Sequence, residues 1–214
     1  MVVEDAAQAF LSKSKDNRYA GTKYEIGCFS FSITKLISMI YGGFCVTNSI
    51  KLAEKLYAIR NNGVSALPEY AKQELPSMPG LNLKASSLHA KIGLINLKRR
   101  NEIIFRLKKI SSIYKKILKN NNNIKLLESE VESTIPNYIL VTVKKKKFLA
   151  FCKRNGINIH FHLRCLHESK SLSFKKNSFP NASFISKNVI RLPCGPGYSE
   201  KDILTISNLI KKFK

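Results

Sequence analysis

Residues 26–35 read IGCFSFSITK, and their pattern sets the fold class. Residues 26–31 are a short apolar run of the kind that forms a buried strand. A polar turn, Lys35 and a Gly42-Gly43 pair follow, and then a second apolar run over residues 44–46. Upstream, the β-branched pair Val2-Val3 leads into Glu4-Asp5, which reads as a strand ending in a loop. Downstream, Asn48 or Ser49 can cap a helix that runs to Asn62, where Gly63 supplies a stop. Its expected apolar side is Ile50, Leu52, Ala53, Leu56, Tyr57 and Ile59. Strands alternating with helices predict an α/β fold.

The pattern continues to the C-terminus. Residues 67–79 are Pro-bearing and irregular. Ser86-Ser87 can cap one long helix over residues 88–118, in which Leu88, Ile92, Ile95, Ile103, Leu107 and Ile110 recur at helical spacing. The asparagine run 120–123 marks the expected change of domain, giving a larger part over 1–119 and a smaller one over 120–214. There we expect a strand at 138–143, a helix at 146–154 stopped by Asn155-Gly156, and a strand at 157–163. A Ser-rich loop over 166–188 follows, and then a final helix opened by Ser199 and Asp202 as a capping pair.

Composition narrows the class of function. Hydrophobic residues make up 44% of the 214, enough for a globular core. No apolar run approaches the roughly 20 residues of a membrane-spanning helix, and residues 1–9 lack the basic-then-apolar block of a signal peptide. The five cysteines are odd in number, scattered and without C-x-x-C spacing, which predicts free thiols in a reducing cytoplasm and no bound metal. The net charge of +23 raises the question of nucleic acid. The lysines are dispersed, however, with 144–147 as the one tight run, and arginine, the better reader of bases and phosphates, is sparse. A solvated basic surface is the expected reading, without a nucleic-acid partner.

Lysine is too common here for any one to be informative by itself. Lys35 differs by context, since it follows a buried strand and precedes a Gly-Gly turn. A partly desolvated lysine is the kind that loses its proton and forms Schiff bases. Ser30 offers a hydroxyl one short loop earlier. Asp5 stands at a strand end, where open α/β sheets bind ligands. There it can serve as a strand-end cap or as an ionic partner for a protonated ring nitrogen. Gln8 lies close by in sequence.

These segments resemble the DegT/StrS family of pyridoxal-phosphate (PLP) sugar aminotransferases. VVEDAAQA at residues 2–9 is similar to the family's acid-bearing cofactor motif, and IGCFSFSITK to its Schiff-base motif. In order there follow GGFCVTN at 42–48, AIRNNG at 58–63, GLNLKASSLHAKIGLINL at 80–97 and GINIHFHLRCLH at 156–167, each resembling a family segment. The resemblance implies a type I aminotransferase-like fold, a large-domain remnant plus a small C-terminal α+β domain. It implies that Lys35 carries PLP as a Schiff base, that Asp5 holds the pyridine nitrogen, that Gln8 meets the ring hydroxyl and that Ser30 binds the phosphate. It further implies that Asn82 reaches the phosphate of a neighbouring subunit in a homodimer, and that His162 and His167 lie on the substrate side. The implied reaction moves an amino group from an amino acid, typically glutamate, to a keto-sugar nucleotide. In the family a longer segment with a phosphate turn and a stacking aromatic precedes the acid motif. The chain is therefore expected to be the C-terminal part of such an enzyme. The same difference leaves open a non-catalytic remnant or a partner-requiring subunit.

Overall fold

A computed structural model describes residues 1–64, 75–126, 139–142, 144–159, 165–172, 178–195 and 197–213. The chain forms two compact units, the first over Met1–Ile103 and the second over the described residues from Ile104 onward.

In the first unit, β1 (Val3–Asp5), β2 (Ile26–Ser30) and β3 (Gly43–Val46) form a sheet in the order β1-β2-β3. β1 runs parallel to β2, with Asp5 opposite Cys28. β3 runs antiparallel, with Cys28 opposite Cys45, Phe29 opposite Phe44 and Ser30 opposite Gly43. Strand alternation sorts these side chains onto two faces. Phe29 and Phe44 stack on one face with ring centroids 4.7 Å apart, and Phe10 meets Phe29 and Phe31 edge-on at 5.8 and 5.1 Å. The other face carries Asp5, Cys28, Ser30 and Cys45. The expected three strands are thus present, within a residue of their expected ends.

Glu4 fixes the long connection between β1 and β2. Its carboxylate accepts backbone N–H groups from Gly21 at 2.8 Å, Lys23 at 2.6 Å and Tyr24 at 2.9 Å. Partial burial works against the charge, but these donors hold the carboxyl below its ordinary range. The stabilisation is therefore complete above the ordinary glutamate range and disappears as pH falls through the lowered folded value. Glu4→Ala should cost about 1–2 kcal/mol near neutral pH. Urea unfolding of the two proteins at neutral and at acid pH checks this: the difference should vanish in acid.

Three helices complete this part of the chain. α1 (Ile50–Arg60) is capped by Ser49, whose hydroxyl accepts from Leu52 N, and stops before Gly63 at φ 81°, a left-handed angle that suits glycine. Its expected apolar side is only partly covered: Leu52, Ala53 and Leu56 are half-buried and Ile50 is 75% exposed, while the buried residue of the helix, Ala58, lies outside that set. In place of the single helix expected over 88–118 there are two. α2 (Ser87–Lys98), capped by Ser86, ends at Arg99, and α3 (Arg100–Leu118) begins directly after it. Arg99 has left the helical region, with ψ at 7°, and its guanidinium pairs with Glu102 one turn into α3.

α3 straddles the two units. Ile103 is buried in the first, while Ile110, Tyr114 and Leu118 enter the core of the second. That core also contains Ile124, Phe148, Cys152, Ile157, Ile190, Leu192, Ile203, Ile210 and Phe213. It packs against an antiparallel sheet of β4 (Lys125–Leu126), β5 (Ile139–Thr142) and β6 (Val189–Leu192), in that order. Tyr114 is fully buried and donates its hydroxyl to the Pro193 carbonyl at 3.0 Å, and burial raises its pKa far above the ordinary tyrosine value. α4 (Lys145–Arg154) starts one residue earlier than expected and stops before Gly156. α6 (Glu200–Lys211) opens with the expected capping box of Ser199 and Asp202.

Two expectations for this unit change. The stretch 166–188 is not all loop. It holds a 3-10 turn at Leu166–Glu168 and helix α5 (Pro180–Asn188), whose first residue, proline, has the fixed φ that a first helical turn accepts. The strand expected at 157–163 is not formed over 157–159, and 160–164 lie outside the described residues.

Candidate functional site

Because β1 and β2 are parallel, their carboxyl ends lie at one edge of the sheet. Asp5 ends β1 and Ser30 ends β2. Asp5 is exposed, and its Oδ1 accepts the Ala7 N–H at 3.1 Å, which turns the chain off the strand. The turn closes with the Ala9 N–H donating to the Ala6 carbonyl at 2.9 Å, and Gln8 sits exposed within it. Ser30 Oγ accepts the Ser32 N–H at 3.3 Å and lies 3.3 Å from Ser32 Oγ. Both contacts are at the long end of the hydrogen-bond range, so the hydroxyl is easily redirected to a stronger acceptor.

The loop that carries Lys35 is firmly built. Its ends are clipped by the Phe31 N–H to the Gly42 carbonyl at 2.9 Å and by the Met39 N–H to the Phe31 carbonyl at 2.8 Å. Ile37 at 1% exposure and Met39 at 7% plug it into the unit. Gly93 of α2 lies against Met39, and a Cβ there would come within 3.0 Å of the Met39 Cβ. Asn96, also on α2, donates from Nδ2 to the Ser38 carbonyl at 2.8 Å. Between these anchors Lys35 is half-buried, and its own N–H donates to the Ser32 carbonyl at 3.0 Å. The loop leaves the end of β2 at Ser30 and carries Lys35 between its clips, with Ile37 and Met39 buried and Ile33 exposed.

Asn96 was not among the residues singled out from the sequence. The distance of 58 residues to its partner hides the contact, although an asparagine amid the apolar residues of α2 is an unusual choice. Asn96→Ala strands the Ser38 carbonyl and should cost about 1 kcal/mol. Proteolytic cleavage within residues 32–42 should accelerate accordingly, and an unchanged rate would show that the loop does not depend on this bond.

The remaining candidates belong to other elements. Asn82 belongs to a strip laid along the end of α1, where Leu81 N–H donates to the Ile59 carbonyl at 2.7 Å and Leu83 N–H to the Arg60 carbonyl at 3.0 Å. Asn82 itself bridges to Asn61 and is exposed. His167 lies in the second unit, in the 3-10 turn, with Nε2 3.1 Å from Ser183 Oγ and its ring 5.2 Å from that of Phe179. His162 lies outside the described residues. The thiol of Cys165, the ring of His167 and the carboxylate of Glu168 have donor atoms within 4.8 Å of one another. Cys165 donates to the Ala182 carbonyl at 3.1 Å, so both it and His167 already have protein partners.

Comparison with known proteins identifies the fold and the family. The chain is 27% identical over 221 residues to a GDP-perosamine synthase of Escherichia coli O157:H7, covering 99% of this chain and 58% of that protein. It superposes on the aminotransferase TlmJ from Streptoalloteichus hindustanus with a TM-score of 0.86 at 21% identity, over 98% of this chain and 57% of the other. It superposes on the PLP-form of Spr1654 from Streptococcus pneumoniae with a TM-score of 0.84 at 20% identity, over 98% and 56% respectively. The fold is therefore that of the PLP-dependent sugar aminotransferases, and the chain spans less than three fifths of the length of these relatives. The model of the DegT/DnrJ/EryC1/StrS aminotransferase family matches residues 1–211, and the chain belongs to that family.

Proposed function

We propose that this chain supplies the lysine-bearing part of a PLP-dependent aminotransferase that moves an amino group from an amino acid, typically glutamate, to a keto-sugar nucleotide. The observation that carries this reading is the gathering of Asp5, Ser30 and the Lys35 loop at one strand-end edge in a member of this family. The donor set fits the cofactor. Asp5 offers an exposed carboxylate for a protonated ring nitrogen, Gln8 an amide for the ring hydroxyl, Ser30 a weakly engaged hydroxyl for the phosphate, and Lys35 a primary amine. Bound PLP supplies an electron sink for negative charge at the donor's α-carbon. Asp5, as a negative charge, would keep the ring nitrogen protonated. Lys35 Nζ would hold the cofactor and, once free of it, would serve as the base that moves the α-proton.

The exposed Asn82 is assigned to the phosphate site of a second copy, which makes the functional unit a homodimer with shared sites. His167 and His162 are assigned to the substrate side. Residues 1–119 are assigned to the cofactor-binding part and 120–214 to the small domain, with the C-terminal half of α3 contributing Ile110, Tyr114 and Leu118 to the core of the second compact unit. No helix of the described residues is long and apolar enough to cross a membrane. We assign the chain to the cytoplasm, a reading supported by the odd number and scattered spacing of its cysteines.

The test uses this chain fused at Met1 to the preceding segment of a relative. With PLP, a keto-sugar nucleotide and 15N-labelled glutamate, the label should appear in an amino-sugar nucleotide. Release of 15N-ammonia with no labelled sugar would refute the transfer.

A further inference from the structure

Cys28 and Cys45 face each other across the β2–β3 ladder, on the sheet face that also carries Asp5 and Ser30. Their sulfur atoms are 3.7 Å apart. We propose that this pair is a thiol–disulfide modification site whose closed form staples the loop carrying Lys35. The proposal stands on strand geometry and holds whether or not the cofactor reading is right.

Three observations support it. First, the register is direct: the two residues are paired positions of an antiparallel ladder, whose Cβ atoms stand about 4.5–5.5 Å apart. A disulfide wants about 3.5–4.5 Å between Cβ atoms and about 2.05 Å between sulfurs, so closure needs a small approach and a side-chain rotation, with the strand pairing kept. Second, access is asymmetric. Cys45 is exposed and Cys28 is half-buried. Burial, with the Cys45 thiol beside it, raises the Cys28 thiol above its ordinary value, which suits it to the second step rather than the first. Third, the other thiols are poor competitors. Burial pushes Cys152 to about 12 and Cys194 to about 11, and Cys165 lies in the other compact unit with its Sγ on the Ala182 carbonyl.

With oxidised glutathione as the oxidant, the Cys45 thiolate attacks one glutathione sulfur and releases a glutathione thiolate. The Cys28 thiol then loses its proton, and its sulfur attacks Cys45 Sγ. The Cys28–Cys45 bond forms as the second glutathione leaves. Two protein thiols are oxidised and one glutathione disulfide is reduced to two thiols. The new ring encloses Ser30, Lys35 and the Gly42-Gly43 turn.

The experiment equilibrates the intact chain with oxidised and reduced glutathione, quenches with acid, and reads intact mass and peptide map. Loss of two hydrogens with a Cys28–Cys45 linked peptide is expected. A glutathione adduct persisting on Cys45 of the unsubstituted chain, a Cys28 link to any other cysteine, or no reaction at all would overturn the proposal. Cys28→Ser should convert the closed product into a stable glutathione adduct on Cys45, and a variant that still loses two hydrogens would refute the pairing. Hydrogen exchange reads the staple. Amides of residues 31–42 should exchange several-fold more slowly in the oxidised chain, and unchanged exchange would overturn the stapling.

Discussion

Lys35→Ala is expected to eliminate borohydride-stable attachment of PLP in the chain completed by a relative's preceding segment, and with it all amino transfer. Only an amine can make the bond that borohydride fixes. Of the chain's many lysines, this one is half-buried in the loop that follows Ser30, a loop fixed by the Phe31–Gly42 and Met39–Phe31 clips and by the buried side chains of Ile37 and Met39. Lys35→Arg separates the chemistry from the charge. A guanidinium keeps the positive charge yet stays protonated, so it should fail as completely as alanine does. Neither change removes a core contact, and thermal unfolding should stay within a few degrees of the unsubstituted protein. Non-covalent binding of the cofactor should persist more weakly through Ser30 and the other anchors. Reduction, digestion and mass mapping check the assignment: a pyridoxyl group on any lysine but Lys35 would refute it.

The strands of the first unit were readable because each is a short apolar run ended by turn chemistry, and the caps Ser49, Ser86 and Ser199 sit where local hydrogen bonding requires them. The helix break at Arg99 was not readable. The apolar spacing runs straight through it, and what sets α2 apart is a long-range fit, Gly93 and Asn96 against the Lys35 loop, that no local window contains. Helix α5 was missed for the opposite reason. Its Ser- and Asn-bearing sequence has weak helical preference, and Pro180 at its first position looks as much like a loop signal as a helix start. The apolar side expected on α1 shows the limit of patterning: the stripe exists, but Ile50 and much of its length face outward in this chain. For the site, the strand-end position of Asp5 followed from the sequence, whereas Ser30 was read inside a strand running to Phe31 and instead ends β2. Neither the anchoring of the lysine loop nor the closeness of Cys28 and Cys45 did, because both depend on register between segments.

Asp5→Asn is expected to slow amino transfer on the order of 100-fold while leaving the attachment at Lys35 intact. The substitution is chosen because Asp5 has two possible jobs. One is local: its Oδ1 accepts the Ala7 N–H at 3.1 Å and shapes the exit from β1. Asparagine keeps an oxygen of the same reach, so a residue that is only a strand-end cap would tolerate it with little change in rate or stability. The other job is electrostatic. A carboxylate there would favour the protonated ring nitrogen of PLP, whose positive charge would stabilise the electrons left by removal of the α-proton. An amide carries no charge, so the ring loses its preference for the extra proton and the step that needs the sink slows. The attachment itself involves only the amine and an aldehyde and does not draw on this charge. The expected signature is therefore a split: normal borohydride trapping at Lys35, normal unfolding, and a large loss in the rate of α-proton exchange from deuterated glutamate. Near-normal exchange in the Asn variant would reduce Asp5 to its bond with Ala7, and loss of trapping would mean that it builds the site instead of tuning it.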